Sequence, residues 1–322
     1  MKKVYVSRLL TDTVMSELSA IDGVEFVVGE EAPPSREELL KKISGVDGAI
    51  VCLTERIDKE FFEAAGPQLK VVANVAVGFD NIDVAEAAAR SVTITNTPGV
   101  LDGATADHTM ALILAMTRRV VEADTFLREG NQWVWGPRML TGLDVSNGTT
   151  IAIVGLGRIG QAVARRARAF DMNVIGVDAA APVGSIVAGV EVVSMEDAVS
   201  RADIVSLHVP LLPSTRHLVD ADFIASMKPG SYLVNVARGG VVDEAAMMVA
   251  LDSGHLRGAA LDVFEGEPAV NPKLFTYPQI VITPHTASAG DKTRDDMCRL
   301  AVGNVTAVLG GGEPLTPVAL KA

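Results

Sequence analysis

Aromatic residues are scarce in this chain: Phe, Tyr and Trp make up 4% of its 322 residues. Cores must then be built from Val, Ala, Ile and Leu, which favours buried parallel strands packed on alanine-rich helices. Cysteine is scarcer still. Cys52 and Cys298 stand far apart with no C-x-x-C pair, so the sequence supports neither a disulfide framework nor a zinc site, and no metal is expected. Basic residues are outnumbered by acidic ones, 28 to 40, for a formal charge of −12. That balance argues against nucleic acid or an anionic membrane surface as partner. It leaves room for a small anionic substrate held by a few local cations. Long apolar runs are also missing, none approaching the ~20 residues of a membrane helix. The opening M-K-K-V-Y-V-S-R-L-L is too short in apolar run for a signal peptide and reads as a first strand. A cytoplasmic location is the expectation.

What is present is the material of a folded protein, 48% hydrophobic and 21% charged. The length is too great for one ordinary core, so two domains are expected. Short apolar runs alternate with helical patterns throughout, the signature of α/β architecture. A first series of strands is read at V-Y-V-S, V-E-F-V-V, G-A-I-V-C-L, L-K-V-V-A-N-V and V-T-I-T-N. A second begins at T-I-A-I-V and continues through N-V-I-G-V-D, D-I-V-S-L-H-V, Y-L-V-N-V-A, G-A-A-L-D-V and I-V-I-T. Each series reads as a doubly wound parallel sheet. Ser35 opens the helix S-R-E-E-L-L-K-K-I as its N-cap. One long helical stretch is expected from about Leu101 to Gly130, and a final helix from about Lys292 to Leu309 with Met297, Leu300, Val305 and Val308 on one side. Short hinges and a cleft between the domains are expected.

The strand I-A-I-V runs into G-L-G-R-I-G and then a helix, Q-A-V-A-R-R-A-R-A-F. Gly155 permits the tight turn, Gly157 lets backbone approach a pyrophosphate, and Gly160 allows close packing of helix on strand. The helix start offers unpaired N–H groups and its positive dipole end to phosphates. A bare G-x-G-x-x-G is a weak signal; with its strand, its helix and an acid ending the next strand it is a strong one. That acid is Asp178, 18 residues past Gly160, placed to accept from ribose hydroxyls and to repel a 2′-phosphate. No Lys or Arg stands between Asp178 and Arg201 to neutralise such a phosphate, so NAD is read over NADP. The bland alternative is that Asp178 caps a loop.

Ligands of open parallel sheets bind outside the carboxyl ends of strands. Of the five histidines, His108 falls in a helical pattern, and His217 and His255 in polar connecting or helical stretches. His208 and His285 stand at strand ends. His285, followed by the small residues Thr286, Ala287 and Ser288, is the acid/base candidate, while His208, with Pro210 turning the chain, walls the nucleotide site. Arg238 ends Y-L-V-N-V-A-R, with two glycines that would let a ligand approach, and Glu265 and Glu267 follow G-A-A-L-D-V-F. Reduction of a keto acid needs a cation for its carboxylate or carbonyl, a proton donor for the developing alkoxide, and a reduced nicotinamide. Arginine supplies the first by a planar, paired-donor contact. Histidine supplies the second, since its pKa lies near neutrality. A carboxylate bonded to that histidine would orient it and favour its protonated form.

Over essentially its whole length the chain resembles the D-isomer-specific 2-hydroxyacid dehydrogenases, and among them most the glyoxylate/hydroxypyruvate reductases. The stretches that carry the resemblance are N-V-A-V-G-F-D-N-I-D, V-G-L-G-R-I-G-Q, N-V-A-R-G-G-V-V-D-E, A-L-D-V-F-E-G-E-P and T-P-H-T-A-S-A. It implies Arg238, Glu267 and His285 as the catalytic set, choosing Glu267 over Glu265. It implies that the N–H groups of Val77 and Gly78 hold the substrate carboxylate across the cleft, with Ser288 and Trp135 also near substrate. The cofactor set it implies is Gly155, Leu156, Gly157, Arg158, Ile159, Gly160, Asp178, His208, Pro210, Thr215, Ala237, Asp262, His285 and Ser288. It implies a discontinuous, flavodoxin-like substrate domain, 1–99 with 287–322, around a Rossmann nucleotide domain at 100–286. A homodimer through the nucleotide domain follows, with N-Q-W-V-W-G-P-R-M-L wrapping the partner and Trp135 reaching the other subunit's site. The alternative for Trp133 and Trp135 is ordinary packing. Thr286 stands where Ile is common and Phe79 where Tyr is common, which could trim the substrate pocket.

The expected reaction is NAD-dependent reduction of glyoxylate or hydroxypyruvate to the D-2-hydroxy acid. Rival readings are a D-lactate or phosphite dehydrogenase on the same scaffold, or an NAD-sensing module like the C-terminal-binding-protein corepressors. The W-V-W segment favours the glyoxylate type, and the end at P-V-A-L-K-A lacks the long tail of the corepressors.

Overall fold

The computed structural model describes residues 1–319. Residues 320–322, which close P-V-A-L-K-A and the expected 287–322 stretch, lie outside the described residues. The chain divides into two compact units, Met1–Leu101 with the chain from Ala289 on, and Asp102–Ser288.

The first unit holds strands β1 (Lys2–Val6), β2 (Val24–Val28), β3 (Gly48–Val51), β4 (Val71–Asn74) and β5 (Thr93–Thr95), all parallel, in the order β2-β1-β3-β4-β5. That is the flavodoxin-like order. The central strands β3 and β4 are buried along their whole length, which is why they read as unbroken apolar runs. Helices α1 (Asp12–Leu18), α2 (Arg36–Ile43), α3 (Lys59–Ala65) and α4 (Val84–Ala89) alternate with them. The Ser35 side chain accepts from the N–H of Glu38, and Asp58 and Asp83 cap α3 and α4 in the same way.

In the second unit β6 (Thr150–Val154), β7 (Asn173–Val177), β8 (Ile186–Val187), β9 (Val190–Val192), β10 (Ile204–Leu207), β11 (Ser231–Asn235), β12 (Leu256–Leu261) and β13 (Ile280–Ile282) form one sheet ordered β13-β12-β11-β10-β6-β7-β9-β8. Strand order reverses between β6 and β10, the switch point of a Rossmann sheet. The pair β8–β9 is antiparallel, so the sheet is not wholly parallel as expected. These edge strands were missed because two or three residues carry no legible period.

The expected single helix from Leu101 to Gly130 is two, α5 (Asp102–Thr117) and α6 (Val120–Arg128). Between them Arg119 takes a left-handed conformation, φ +54°, which no helix continues. The remaining helices of this unit are α7 (Arg158–Ala169), α8 (Met195–Arg201), α9 (Ala221–Ser226) and α10 (Glu244–Ser253). The final helix α11 (Asp291–Leu309) belongs to the first unit, where it packs on β3, β4 and α1. It buries Met297 and Val305 as expected, but its inner face also takes Cys298, Ala301, Val302 and Asn304, with Leu300 and Val308 only half-buried.

Candidate active site

Gly155 follows β6 with φ +100°, and a Cβ there would lie 2.6 Å from the carbonyl oxygen of His208. A side chain is therefore excluded by both backbone conformation and space. A Cβ on Gly160 would sit 2.0 Å from the oxygen of Gly155, so α7 can approach β6 only with glycine at that position. Gly157 differs from both. It is the exposed N-cap of α7, and a Cβ on it would meet nothing within 4 Å. The protein's own packing does not require that glycine, whereas a ligand resting on the helix start would.

Asp178 follows β7 and does two things for this loop. One oxygen accepts the N–H of Leu156 at 2.8 Å, and the other accepts the N–H of Ala180 at 2.8 Å. It is thus a loop cap, the alternative the sequence left open. Each carboxylate oxygen keeps a second lone pair for a ribose hydroxyl. Gln161 was not singled out from sequence, yet its Nε2 donates to the oxygen of Leu156 at 2.7 Å and closes the loop from the helix side. Leu156 itself is buried, packed over Gly176, so it can offer a ligand only backbone. Arg158 is exposed and Ile159 half-buried. These residues suit a dinucleotide pyrophosphate: an open glycine, a helix start and a half-buried acid lie together at the switch point.

His208 follows β10 beside this loop. Its Nε2 lies 2.9 Å from Ser206 Oγ, while its Nδ1 is buried with no partner among the described residues. Burial pushes its pKa down from 6.5 to about 4, so the ring is neutral near pH 7. Thr215 ties its own loop, donating to the oxygen of Pro210 at 2.6 Å and accepting from the N–H of Leu212 at 2.8 Å.

Further along the same carboxyl edge, β11 leads to Arg238. The buried Asn235 braces this turn, accepting from the N–H of Ala237 at 3.0 Å and donating to the oxygen of Arg238 at 2.9 Å. Arg238 itself donates to the oxygen of Ala237. The two glycines after it were expected to make room for a ligand. Gly239 instead makes room for the protein, since a Cβ there would fall 1.9 Å from the Phe264 backbone. The signal for Asn235, a buried amide closing a strand, was present in N-V-A-R but carried no chemistry alone.

Beyond β12 the chain turns so that its two glutamates diverge. Glu267 Oε2 lies 2.8 Å from His285 Nδ1, and its Oε1 accepts the N–H of Phe264 at 2.8 Å. Glu265 pairs with His217 Nε2 at 2.5 Å, and its N–H donates to the buried Glu244. The sequence places His217 only in a polar connecting stretch, and a contact between residues 48 apart has no local signal. His255 bonds the oxygen of Ile224.

Asp262 is fully buried. Its carboxylate accepts from Thr283 Oγ1 at 2.6 Å and from the N–H groups of Thr286 and Ala287 at 2.8 Å each. Expected among cofactor contacts, it spends its oxygens here on the loop that carries His285. Ser288, at the end of that loop, is half-buried.

In the first unit Val77 and Gly78 follow β4. Their carbonyls accept from the side-chain amides of Asn96 and Asn74, at 2.7 and 2.8 Å. The arm 131–140 has no regular helix or strand. Trp133, Val134 and Trp135 are 56%, 88% and 78% exposed, so neither tryptophan is core packing within its own chain.

A parallel sheet with a glycine loop at its switch point, and a His–Glu pair and an arginine on the same edge, defines a nicotinamide oxidoreductase class of site. The sequence agrees: residues 110–287 match the family described as D-isomer specific 2-hydroxyacid dehydrogenase, NAD binding domain. The chain belongs to the D-isomer specific 2-hydroxyacid dehydrogenase family and is an oxidoreductase acting on 2-hydroxy acids. It is 44% identical over 317 residues to a glyoxylate reductase of Thermofilum pendens, covering 97% of this chain and 93% of the relative. A solved structure from Thermus thermophilus is 43% identical with a TM-score of 0.91, covering 98% of this chain and 100% of that one. An NADPH-dependent glyoxylate/hydroxypyruvate reductase from Sinorhizobium meliloti, solved with NADP and malonate, is 34% identical with a TM-score of 0.84, covering 99% and 97%.

Proposed function

We propose that this enzyme reduces glyoxylate or hydroxypyruvate with NADH, in the cytoplasm, giving the corresponding 2-hydroxy acid in D configuration where a stereocentre forms. The observation that carries the reading is the His285–Glu267 pair, 2.8 Å apart, on the same sheet edge as Arg238 and the glycine loop. The names of its relatives supply the substrate class.

A reduced nicotinamide held at the glycine loop and Asp178 would supply a hydride to the keto carbon. Reduction of the keto group would place negative charge on its oxygen. Arg238 binds the substrate's carboxylate and that oxygen, offsetting the growing charge. His285 Nδ1 donates to Glu267, which leaves Nε2 to pass its proton to the oxygen. Glu267 compensates the imidazolium before transfer and holds the ring in orientation. In the first unit, the N–H groups of Val77 and Gly78 suit a carboxylate, since both carbonyls of that turn are already engaged.

NADH over NADPH rests on Asp178, whose carboxylate would oppose a 2′-phosphate, and on the loop A-A-A-P after it, which has no cationic side chain. A homodimer rests on the exposed Trp133, Val134 and Trp135, an apolar run suited to cover by a second copy. Trp135 of that arm is assigned to the other subunit's site.

The test follows the loss of reduced-nicotinamide absorbance with glyoxylate, hydroxypyruvate, pyruvate and a bulkier keto acid, each with NADH and NADPH. Fast turnover of the first two with NADH is expected. Preference for NADPH would overturn the role given to Asp178, and near-normal turnover by His285→Ala would overturn the acid/base assignment.

A further inference from the structure

We propose that His108, on α5, is a positioning residue that holds His285 in place through Thr283 and Asp262. The proposal rests on the catalytic reading of His285 above and adds a residue to it.

Both oxygens of Asp262 accept backbone N–H groups, from Thr286 and from Ala287. The carboxylate is therefore the acceptor in its 2.6 Å contact with Thr283 Oγ1. A hydroxyl has one hydrogen, and that contact uses it. His108 Nε2 lies 3.0 Å from the same Thr283 oxygen, so the ring must be the donor there. Nε2 carries a hydrogen in every protonation state compatible with the contact. The same nitrogen lies 3.5 Å from Asp262 Oδ1, and His108 retains partial exposure while Asp262 has none.

His285 needs such support. It is a non-glycine residue with φ +54°, a conformation L side chains adopt at a cost and keep only when neighbours over-determine it. Here most of the bracing acceptors belong to Asp262, beside the Thr283 carbonyl oxygen 3.0 Å from the His285 N–H. The N–H of His285 donates to the backbone oxygen of Asp262 at 2.8 Å, and the next two N–H groups go to its carboxylate. Thr283, two residues before His285, also donates to the Asp262 carboxylate, and its hydroxyl links that carboxylate to α5 through His108. Helix α5 packs against β12 and β13, the strands from which Asp262 and Thr283 emerge. His108 thereby ties the loop to a 16-residue helix as well as to the sheet edge. Without the Nε2 donor, the Thr283 oxygen loses a partner in a part-buried site, and its hydroxyl is free to leave Asp262. Displacement of a catalytic group by a fraction of an ångström lowers turnover without removing any substrate contact.

The experiment compares His108→Leu, His108→Asn and His108→Gln in the full chain. Gln places an amide N–H near the position of the imidazole Nε2. Asn stays polar but falls short of it, and it stands in for Leu if the apolar variant does not fold. Two readouts are taken: kcat and KM with glyoxylate and NADH, and amide hydrogen exchange at His285, Thr286 and Ala287 in protein without nicotinamide. Leu and Asn should lower kcat about tenfold with both KM values within about twofold, and should speed exchange at the three amides about tenfold. Gln should return both readouts to within about threefold of the parent. Unchanged kcat and exchange in Leu and Asn, or a Gln variant as impaired as they are, would overturn the proposal. His285→Gln is measured beside them. If it keeps turnover, the catalytic reading falls, and the exchange rates alone then decide whether His108 positions the loop.

Discussion

Glu267 offers one carboxylate oxygen to Nδ1 of His285 at 2.8 Å and spends the other on the N–H of Phe264, also at 2.8 Å. The carboxylate is thus anchored by its own turn before it orients the ring. A Glu267→Gln substitution can keep the spacing but not the charge. Turnover should fall about 10- to 100-fold, and His285→Gln should cost about 10²- to 10⁴-fold. NADH affinity should fall far less than turnover in both, since the proposed dinucleotide site has many other contacts. Steady-state rates and NADH fluorescence titration check this, and a loss shared equally by binding and turnover would contradict it.

Two glycines of one loop should separate stability from binding. Gly160→Ala drives a Cβ to 2.0 Å from the Gly155 oxygen and should destabilise by about 1–3 kcal/mol. Gly157→Ala meets no protein atom within 4 Å and should change stability by no more than about 1 kcal/mol. Its NADH affinity should nevertheless drop about tenfold or more, through loss of close approach to the backbone. Urea unfolding paired with NADH titration distinguishes the two. Wild-type affinity in Gly157→Ala would mean that the loop is not the dinucleotide cradle.

Burial holds the His208 ring neutral, its pKa pushed down to about 4 from 6.5. Between these values the unfolded chain binds a proton that the native ring refuses, so stability rises with pH across the window. The contribution is complete above pH 6.5 and is lost as pH falls toward about 4, a change on the order of 3 kcal/mol. Urea midpoints at about pH 7 and pH 4.5 measure it in the parent and in His208→Gln. The variant should show a shallower fall by the equivalent of one proton; an equal fall would assign the acid sensitivity to other groups.

Neither cysteine should react readily in the native protein. Burial, then the charge of Glu55, pushes the Cys52 thiol up to about 12, and burial also raises that of Cys298. The thiolate is the reactive form, so labelling by a disulfide reagent near pH 8 should be slow until denaturant is added, and should then reach both thiols. Rapid labelling of Cys52 without denaturant would show that this part of the first unit opens readily.

The fold was legible where its causes are local. Unbroken apolar runs such as V-V-A-N and I-A-I-V announced buried parallel strands, and Ser35 announced a helix start through its own N-cap. The edge strands β8 and β9 were not legible, because so short a pairing is made by its neighbour and not by its own pattern. The break at Arg119 was not legible either; nothing in T-R-R-V-V marks a left-handed residue.

By itself the sequence determined the class of architecture and the glycine loop, because backbone sterics and side-chain period act between near neighbours. It also determined which residue types stand at strand ends. The tertiary structure alone decided which of them meet. It gave Glu267 to His285, Glu265 to His217, and Gly239 to the Phe264 backbone where a ligand had been expected. It also brought His108 within 3.0 Å of Thr283, 175 residues away. Such contacts are set by strand order and helix packing, and a hydrogen bond between distant residues forms only where those have already brought donor and acceptor into range.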